Sequence, residues 1–460
     1  MPSIVTLAAS QRIAPTPPTL QKTGAFISQG ATNIPVGTYA LLTQLSDVTP
    51  ILVNAPLAIT SLSWSGGVVT GTTTAPHGFT NGDTVFLSII GASPAGYNGE
   101  HPCLITGAST FTYPHSGTLS SPATGTITYV DADAPQLLAQ ATTFFGQGSK
   151  QGVYVLELGP GTVQEGVTAL TTFINAQAQF FYSYLVPREW DNAAPFLAYL
   201  ASFEAQTAKT YFWITTTIST YTNYTPLQKC VFWQVEAPGI PTLEFSLAAD
   251  FWRWLQYSPS TTSKITPFDF GFVFGVTPYP TIGNGALLAA ISAANGSYIG
   301  TGAEGGISNT IIVGGTMADG NDATYWYSTD WLQINLDEAI SNAVINGSND
   351  PLNPLYYNQD GINRLQEVGV DVLNSGITFG MVLGSVAQTE LDGPEFDQNL
   401  DNGDYDGQAV INAVPFLIYS KENPGDYKIG EYDGLAAAAI PQRGFKHLVF
   451  NLNISNFVSQ

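Results

Sequence analysis

The chain has 460 residues, enough for two or three domains around a large core. Hydrophobic residues make up 44% and charged residues only 10%, so the chain is globular, yet too poor in charged surface to stand alone without partners covering it. A net charge of -22 with only 13 Lys and Arg excludes the basic stripe of a nucleic-acid binder and disfavours docking on an anionic membrane.

The start, MPSIVTLAASQRIAPTPP, has neither the basic region nor the long apolar run of a secretory signal, and no run reaches the length of a membrane span. The expectation is a protein made and folded in a cytoplasm. SIVTLAAS reads as a short strand with Ile4, Val5 and Leu7 as its apolar positions. QRIAPTPPTLQKTG then reads as an extended Pro-rich tether, of which about eleven residues at ~3.1 Å each reach ~30 Å. Residues 1–24 are expected to form an N-terminal arm, and 25–55 the start of a core.

Residues 56–133 differ in texture. They are rich in Thr, Ser and Gly, and strands such as TVFLSI and TITYV alternate with the turn signals TNGD, GASPAG and YNGE. This predicts an inserted all-β domain. His77, His101 and His115 fall inside it at spacings that fit no single-element zinc site, and PHGF reads as a turn with His77 in a packing role. Cys103 and Cys230 read as small buried hydrophobes; the two alone make no disulfide framework.

Residues 134–434 are expected to form an α/β core. FFYSYLVP predicts a buried strand. DNAAPFLAYLASFEAQTA predicts a helix capped by Asp191 or Asn192, with Phe196, Leu197, Leu200 and Phe203 on one face. TYFWITTTI is the next strand, LEFSLAADFWRWLQY a helix, and FGFVFGV (270–276) another buried strand. NGALLAAISAANG is a helix stopped by Asn295-Gly296. The βαβα order argues for α/β architecture. GTGAEG (300–305) matches a dinucleotide fingerprint, but a helix precedes it and a strand follows, the reverse of what phosphate binding needs; it reads as a loop. No nucleophile elbow and no phosphate loop is present, so no catalytic residue and no cofactor are assigned.

STDWLQINLDEAISNAVING predicts a helix started by Ser328 or Thr329, with Asp330 at its positive end and a stop at Asn346-Gly347. The aromatic stretch ATYWYSTDWL reads as core packing in preference to a sugar platform. QDGINRLQEVGVDVLNSG predicts a second helix with Ile362, Leu365, Val368 and Val372 inward. DGPEFDQNLDNGDYDG (392–407) reads as a solvated acidic loop; Gly403 is one place late for a calcium loop and no Glu stands at its twelfth position. The last segment, 435–460, is a tether punctuated by Pro441 and Gly444, then a strand. In HLVFNLNISNFVSQ, Leu448, Phe450, Leu452 and Ile454 share one face, opposite Asn451, Asn453 and Ser455.

The stretch from Gly314 to Gly380 resembles bacteriophage contractile-tail sheath subunits. It carries G-G-T-x-A-D-G at Gly314–Gly320, then D-W-L at Asp330–Leu332, then D-G-I at Asp360–Ile362. The insert, with APHGFTNGDTV, PAGYNG and FTY, is similar to small β modules on phage structural proteins, which implies outward display. The resemblance implies an α/β (α+β) multidomain fold: a sheath-type core, an inserted all-β domain, and N- and C-terminal strand arms. It further implies a virion subunit that polymerises into a helical homo-oligomer around an inner tail tube protein. Baseplate and tail-terminator proteins are further implied partners, and assembly is expected in the host cytoplasm. The arm strands, through Ile4, Val5, Leu7, Leu448, Phe450, Leu452 and Ile454, would add to a small sheet on adjacent subunits. That fits the physics, because an unpaired apolar strand is an aggregation liability that donation removes. The alternative is a β-rich phage surface or adhesion protein that binds host glycans through Trp and Tyr.

Overall fold

The computed structural model describes residues 20–446, apart from 53–56, 78, 80, 83, 132, 149–150, 178–179, 204–208, 241–242, 281–283 and 302–308. The arm-strand positions Ile4, Val5, Leu7, Leu448, Phe450, Leu452 and Ile454 lie outside the described residues. The chain opens with β1 (Gly24–Ser28) and β2 (Tyr39–Leu42) of a large sheet. It then leaves that sheet for β3 (Leu57–Ser65), β4 (Val68–Thr73), β5 (Thr84–Ile90), β6 (Gly99–Gly107), β7 (Thr110–Pro114) and β8 (Thr128–Asp131). These close into a barrel in the order β3-β4-β7-β6-β5-β8. Leu62, Val69, Leu87, Cys103, Ile105 and Phe111 fill its interior. Gly71 is required there, since a Cβ would lie 2.3 Å from the Phe111 ring.

The chain returns through α1 (Asp133–Gln147), β9 (Val153–Glu157), α2 (Val163–Ala176), β10 (Ser183–Leu185), α3 (Ala194–Phe203), β11 (Tyr211–Thr216), β12 (Val231–Val235), α4 (Leu247–Leu255), α5 (Gly285–Ala293), β13 (Ser297–Thr301) and β14 (Thr310–Val313). The large sheet runs β14-β13-β12-β11-β10-β1-β9-β2. Its inner pairings are parallel, and β2 and β14 run antiparallel at the edges. Parallel strands covered on both faces read as unbroken apolar runs, which explains YFWITT and VFWQV. Phe26, Trp213 and Phe232 face Phe251 and Trp254 of α4 on one side. Ile27, Ile214 and Trp233 face Leu170 of α2 and Phe196 of α3 on the other.

Then come α6 (Ala323–Asn349), α7 (Gln359–Thr378), β15 (Val386–Thr389), α8 (Gly393–Asn402), β16 (Ala409–Ala413), α9 (Phe416–Glu422), α10 (Pro424–Ile429) and β17 (Leu435–Ala438). The three strands form a small sheet, β15-β16-β17. Gly369 of α7 lets the helix sit directly on Ile411 of that sheet.

Several expectations need correction. Helix α3 starts at Ala194, not at a cap on Asp191 or Asn192; the Asp191 carboxylate accepts instead from Thr220 and Tyr224 hydroxyls. Helix α6 begins at Ala323, so Ser328, Thr329 and Asp330 lie inside it, and it runs past Asn346-Gly347 to Asn349. Gly347 is there because Leu355 packs on it, leaving a Cβ only 2.4 Å of room. On α7, Ile362 and Val372 are buried as expected, but Leu365 and Val368 are only half-buried, beside the groove with α6. The inward face is completed by Gln366, Gly369 and Leu373. Residues 393–402 of the acidic stretch are helix, capped by Asp392 accepting from the Glu395 N–H at 2.8 Å and ended by left-handed Gly403. FGFVFGV is not a buried strand: it runs along the outside of β14 and exposes every second side chain. The stop on α5 holds, with Asn295 at φ 61° and the Gly296 N–H reaching the Ile291 carbonyl at 2.9 Å.

Candidate assembly surfaces

The carboxyl end of a doubly wound sheet is where such folds bind ligands, at the point where strand order reverses. Here β1 lies between β9 and β10, and the reversal falls beside Glu157. Its buried carboxylate accepts from Ser28 Oγ (2.7 Å), Gly30 N (2.7 Å), Thr32 N (3.2 Å), Thr32 Oγ1 (2.7 Å) and Gly159 N (2.8 Å). The donors that would cradle a phosphate are consumed by the chain's own side chain. The neighbouring N-terminus of α2 is likewise closed by a capping box between Thr162 and Glu165. Among the described residues, no group of three or more His, Cys, Asp and Glu could hold a metal ion. None of the described helices is long and apolar enough to cross a membrane.

The organised polar chemistry lies elsewhere, at the start of α6. The G-G-T-M-A-D-G stretch folds into a tight loop between β14 and α6. Gly315 takes a positive φ of 50°, Met317 is fully buried, and Asp319 accepts from the Trp326 indole N–H at 2.8 Å. Both ends of the described chain reach this helix start and the loops that follow α4 and α7. On the N-terminal side, the Gln21 side chain donates to the Tyr327 carbonyl at 2.8 Å, and Lys22 donates to Ser258 Oγ at 2.8 Å. On the C-terminal side, Gln442 N donates to the Met381 carbonyl at 2.8 Å. Arg443 donates to Asn321 Oδ1 at 2.9 Å and lies 4.8 Å over the Tyr325 ring. Lys446 pairs with Asp322 at 3.1 Å. One turn further along α6, buried Asp330 accepts from the hydroxyls of Tyr182 (2.9 Å) and Tyr211 (2.7 Å). Burial raises its pKa, and the two hydroxyls oppose the rise. The two segments that lead toward the chain ends thus both reach residues 321–327, the start of α6 and the two residues before it.

Asp269 sits beside this hub and supports a pH prediction. Burial pushes its carboxyl up to about 6, against the pull of hydrogen bonds from the Phe270 and Gly314 N–H groups and of Lys446. The folded chain therefore binds this proton more tightly than the unfolded chain. Stability should fall as pH rises through the window from the ordinary carboxylate range to about 6. Asp269→Asn keeps the accepting oxygen and removes the charge. It should gain about 1–2 kcal/mol at pH 8 and flatten that slope. Urea midpoints at pH 5 and pH 8 check this; parallel changes in variant and parent would sink it.

Exposed apolar side chains are unusually large in places: Leu352 is 95% exposed, Phe445 82% and Leu417 77%. The Trp residues of the glycan alternative are mostly unavailable, with Trp190, Trp213, Trp233 and Trp254 fully buried and Trp326 and Trp331 packed against the core.

Compared with solved structures, the chain matches the contracted helical sheath of the anti-feeding prophage over 98% of its own length and 99% of that chain. The TM-score is 0.50 at 10% identity. The chain has the fold of a contractile-sheath protein. The six-fold symmetrised baseplate of the same prophage contains a chain matched over 99% and 100%, with TM-score 0.53 at 10% identity. A sheath tail protein of Listeria innocua overlaps 78% of this chain and 85% of its own at 10% identity, but its TM-score of 0.39 adds nothing to that conclusion. No protein-family profile matches the chain, and no curated protein matches it by sequence. Within the sheath fold, the sequence reading missed Gln21, Glu157 and the Asp330 cluster. Apart from Gly159 beside Glu157, the partners of Gln21, Glu157 and Asp330 named above stand more than a hundred residues away, and no local pattern announces them.

Proposed function

We propose that this chain is the structural subunit of a phage contractile tail sheath, without enzymatic activity. The observation that carries the reading is the end-to-end fold match to a contracted helical sheath. The scarcity of charge and the exposed apolar side chains support it, because both suit a surface covered by other copies. Subunits polymerise head-to-tail around an inner tail tube, and such non-closing contacts propagate a helix. The arm strands of residues 1–19 and 447–460 add to the open edges of the β15-β16-β17 sheet of neighbours, and their tethers let the cores rotate while pairing persists. Baseplate and terminator proteins bound the tube at its ends, and contraction drives it through the host envelope. Assembly takes place in the host cytoplasm, and the mature site is the virion tail. Negative-stain microscopy of the concentrated protein should show tubes or stacked rings. Monodisperse particles at every concentration would overturn the reading.

The barrel is displayed outward in this scheme. Replacing residues 57–131 by a short linker should therefore leave tube formation intact, because β3 and β8 pair with each other where they leave the core. A variant that folds, by circular dichroism, but makes no tubes would place the barrel within the lattice.

A further inference from the structure

Residues 268–276 are held with unusual firmness. Phe270 sits at φ 60°, a costly conformation for a bulky residue, with its N–H on Asp269 Oδ1 at 2.9 Å and on the Ile312 carbonyl at 2.9 Å. Gly271 lies against the Arg253 guanidinium with no room for a Cβ. Val273 and Val276 are buried in the core beneath. The Gln147 side chain clamps Phe274, accepting from its N–H at 2.8 Å and donating to its carbonyl at 2.7 Å. What this scaffold presents is a row of rings: Phe270 is 47% exposed, Phe272 55% and Phe274 61%. With a free Phe worth ~200 Å², the row offers roughly 300 Å² of apolar surface, the size that marks an interaction site. No further strand pairs along it among the described residues.

The C-terminal segment leaves the core beside this row. Gly444 abuts Pro267, three residues before Phe270, and Lys446 lies close enough to Asp269 for its charge to act on that carboxyl. The fourteen residues 447–460 follow. Extended, they reach ~45 Å, while Pro267 and Phe270 are at most about 11 Å apart along the chain. Their apolar face, Leu448, Phe450, Leu452 and Ile454, repeats every second residue, as the Phe row does.

We propose that in the unassembled subunit residues 447–460 dock on the Phe270–Phe272–Phe274 row of their own chain, so that assembly must first lift the arm from it. This rests on the strand-arm reading of the C-terminal segment given above. It adds a regulated step: the free subunit shields both apolar faces, and a growing lattice end exchanges one partner for another.

The test is hydrogen exchange on the dilute full-length protein, read by mass spectrometry at peptides covering 447–460, with β14 as the folding control. The expected result is at least tenfold protection of 447–460, independent of protein concentration. Phe272→Asp and, separately, Phe274→Asp should abolish it while β14 stays protected. Exchange of the arm at free-peptide rates, or protection that both variants retain, would overturn the proposal. Protection that rises with protein concentration would also overturn it, because a second copy would then supply the occupant. Tubes formed by a protein whose dilute arm is unprotected would sink this inference and leave the sheath reading standing. A protected, variant-sensitive arm in a protein that never forms tubes would do the reverse.

Discussion

Ending the chain at Lys446 is expected to leave a folded subunit that forms no tubes. The folded part keeps its fastenings, since Arg443 stays on Asn321 and Tyr325, and Lys446 stays on Asp322. What is lost is the apolar face of Leu448, Phe450, Leu452 and Ile454. Burying each of these is worth roughly 1.5–3 kcal/mol before ordering costs, and under the proposed strand donation the loss recurs at every subunit contact. The melting temperature should move by only a few degrees, while micrographs at concentrations where the parent polymerises should show single particles. Tubes of normal appearance from the shortened chain would exclude the C-terminal strand from the lattice. A collapse of the monomer's own melting transition would show that the strand completes its parent core.

Glu157→Ala should be among the most destabilising single substitutions in the molecule. Five donors from the β1 and β9 ends converge on that carboxylate in a buried site. Removing it strands two hydroxyls and three backbone N–H groups without solvent, at a cost of about 3–5 kcal/mol. Glu157→Gln should cost less, about 1–3 kcal/mol, because one oxygen still accepts while the amide meets donors. Urea unfolding of both variants checks the order. An alanine variant within 1 kcal/mol of the parent would mean water reaches the loop ends, contrary to their burial. The same substitution bears on function by an indirect route. The carboxylate occupies the place where a doubly wound fold would hold an anionic ligand, so its removal should weaken the subunit without creating any activity.

The sequence made the central strands and the barrel texture visible because both are governed by short-range patterns. YFWITT and VFWQV are apolar without alternation because helices cover both faces. The start of α6 departs from its expected place for a physical reason. Ser328-Thr329-Asp330 has the composition of a cap, yet the aromatics before it continue the helical stripe, and Asp330 is needed inside for Tyr182 and Tyr211. Helix α8 was legible in principle. Asp392 with a proline in the first turn is a start signal, but the density of acids around it masks that signal. FGFVFGV failed differently. Its hydrophobicity predicts burial, and the structure spends half of it on an exposed surface. That departure from expectation is the kind that marks function. The hub at α6 is half visible: its G-G-T-M-A-D-G stretch stands out, but nothing in it says that residues 21 and 443–446 come home to the same helix start.

The pairing of Leu57 with Tyr129 means that the barrel hangs from the core by two adjacent threads. A stretch of gene coding for residues 57–131 can then be traded between relatives as one piece, with both joints falling at a single spot on the protein.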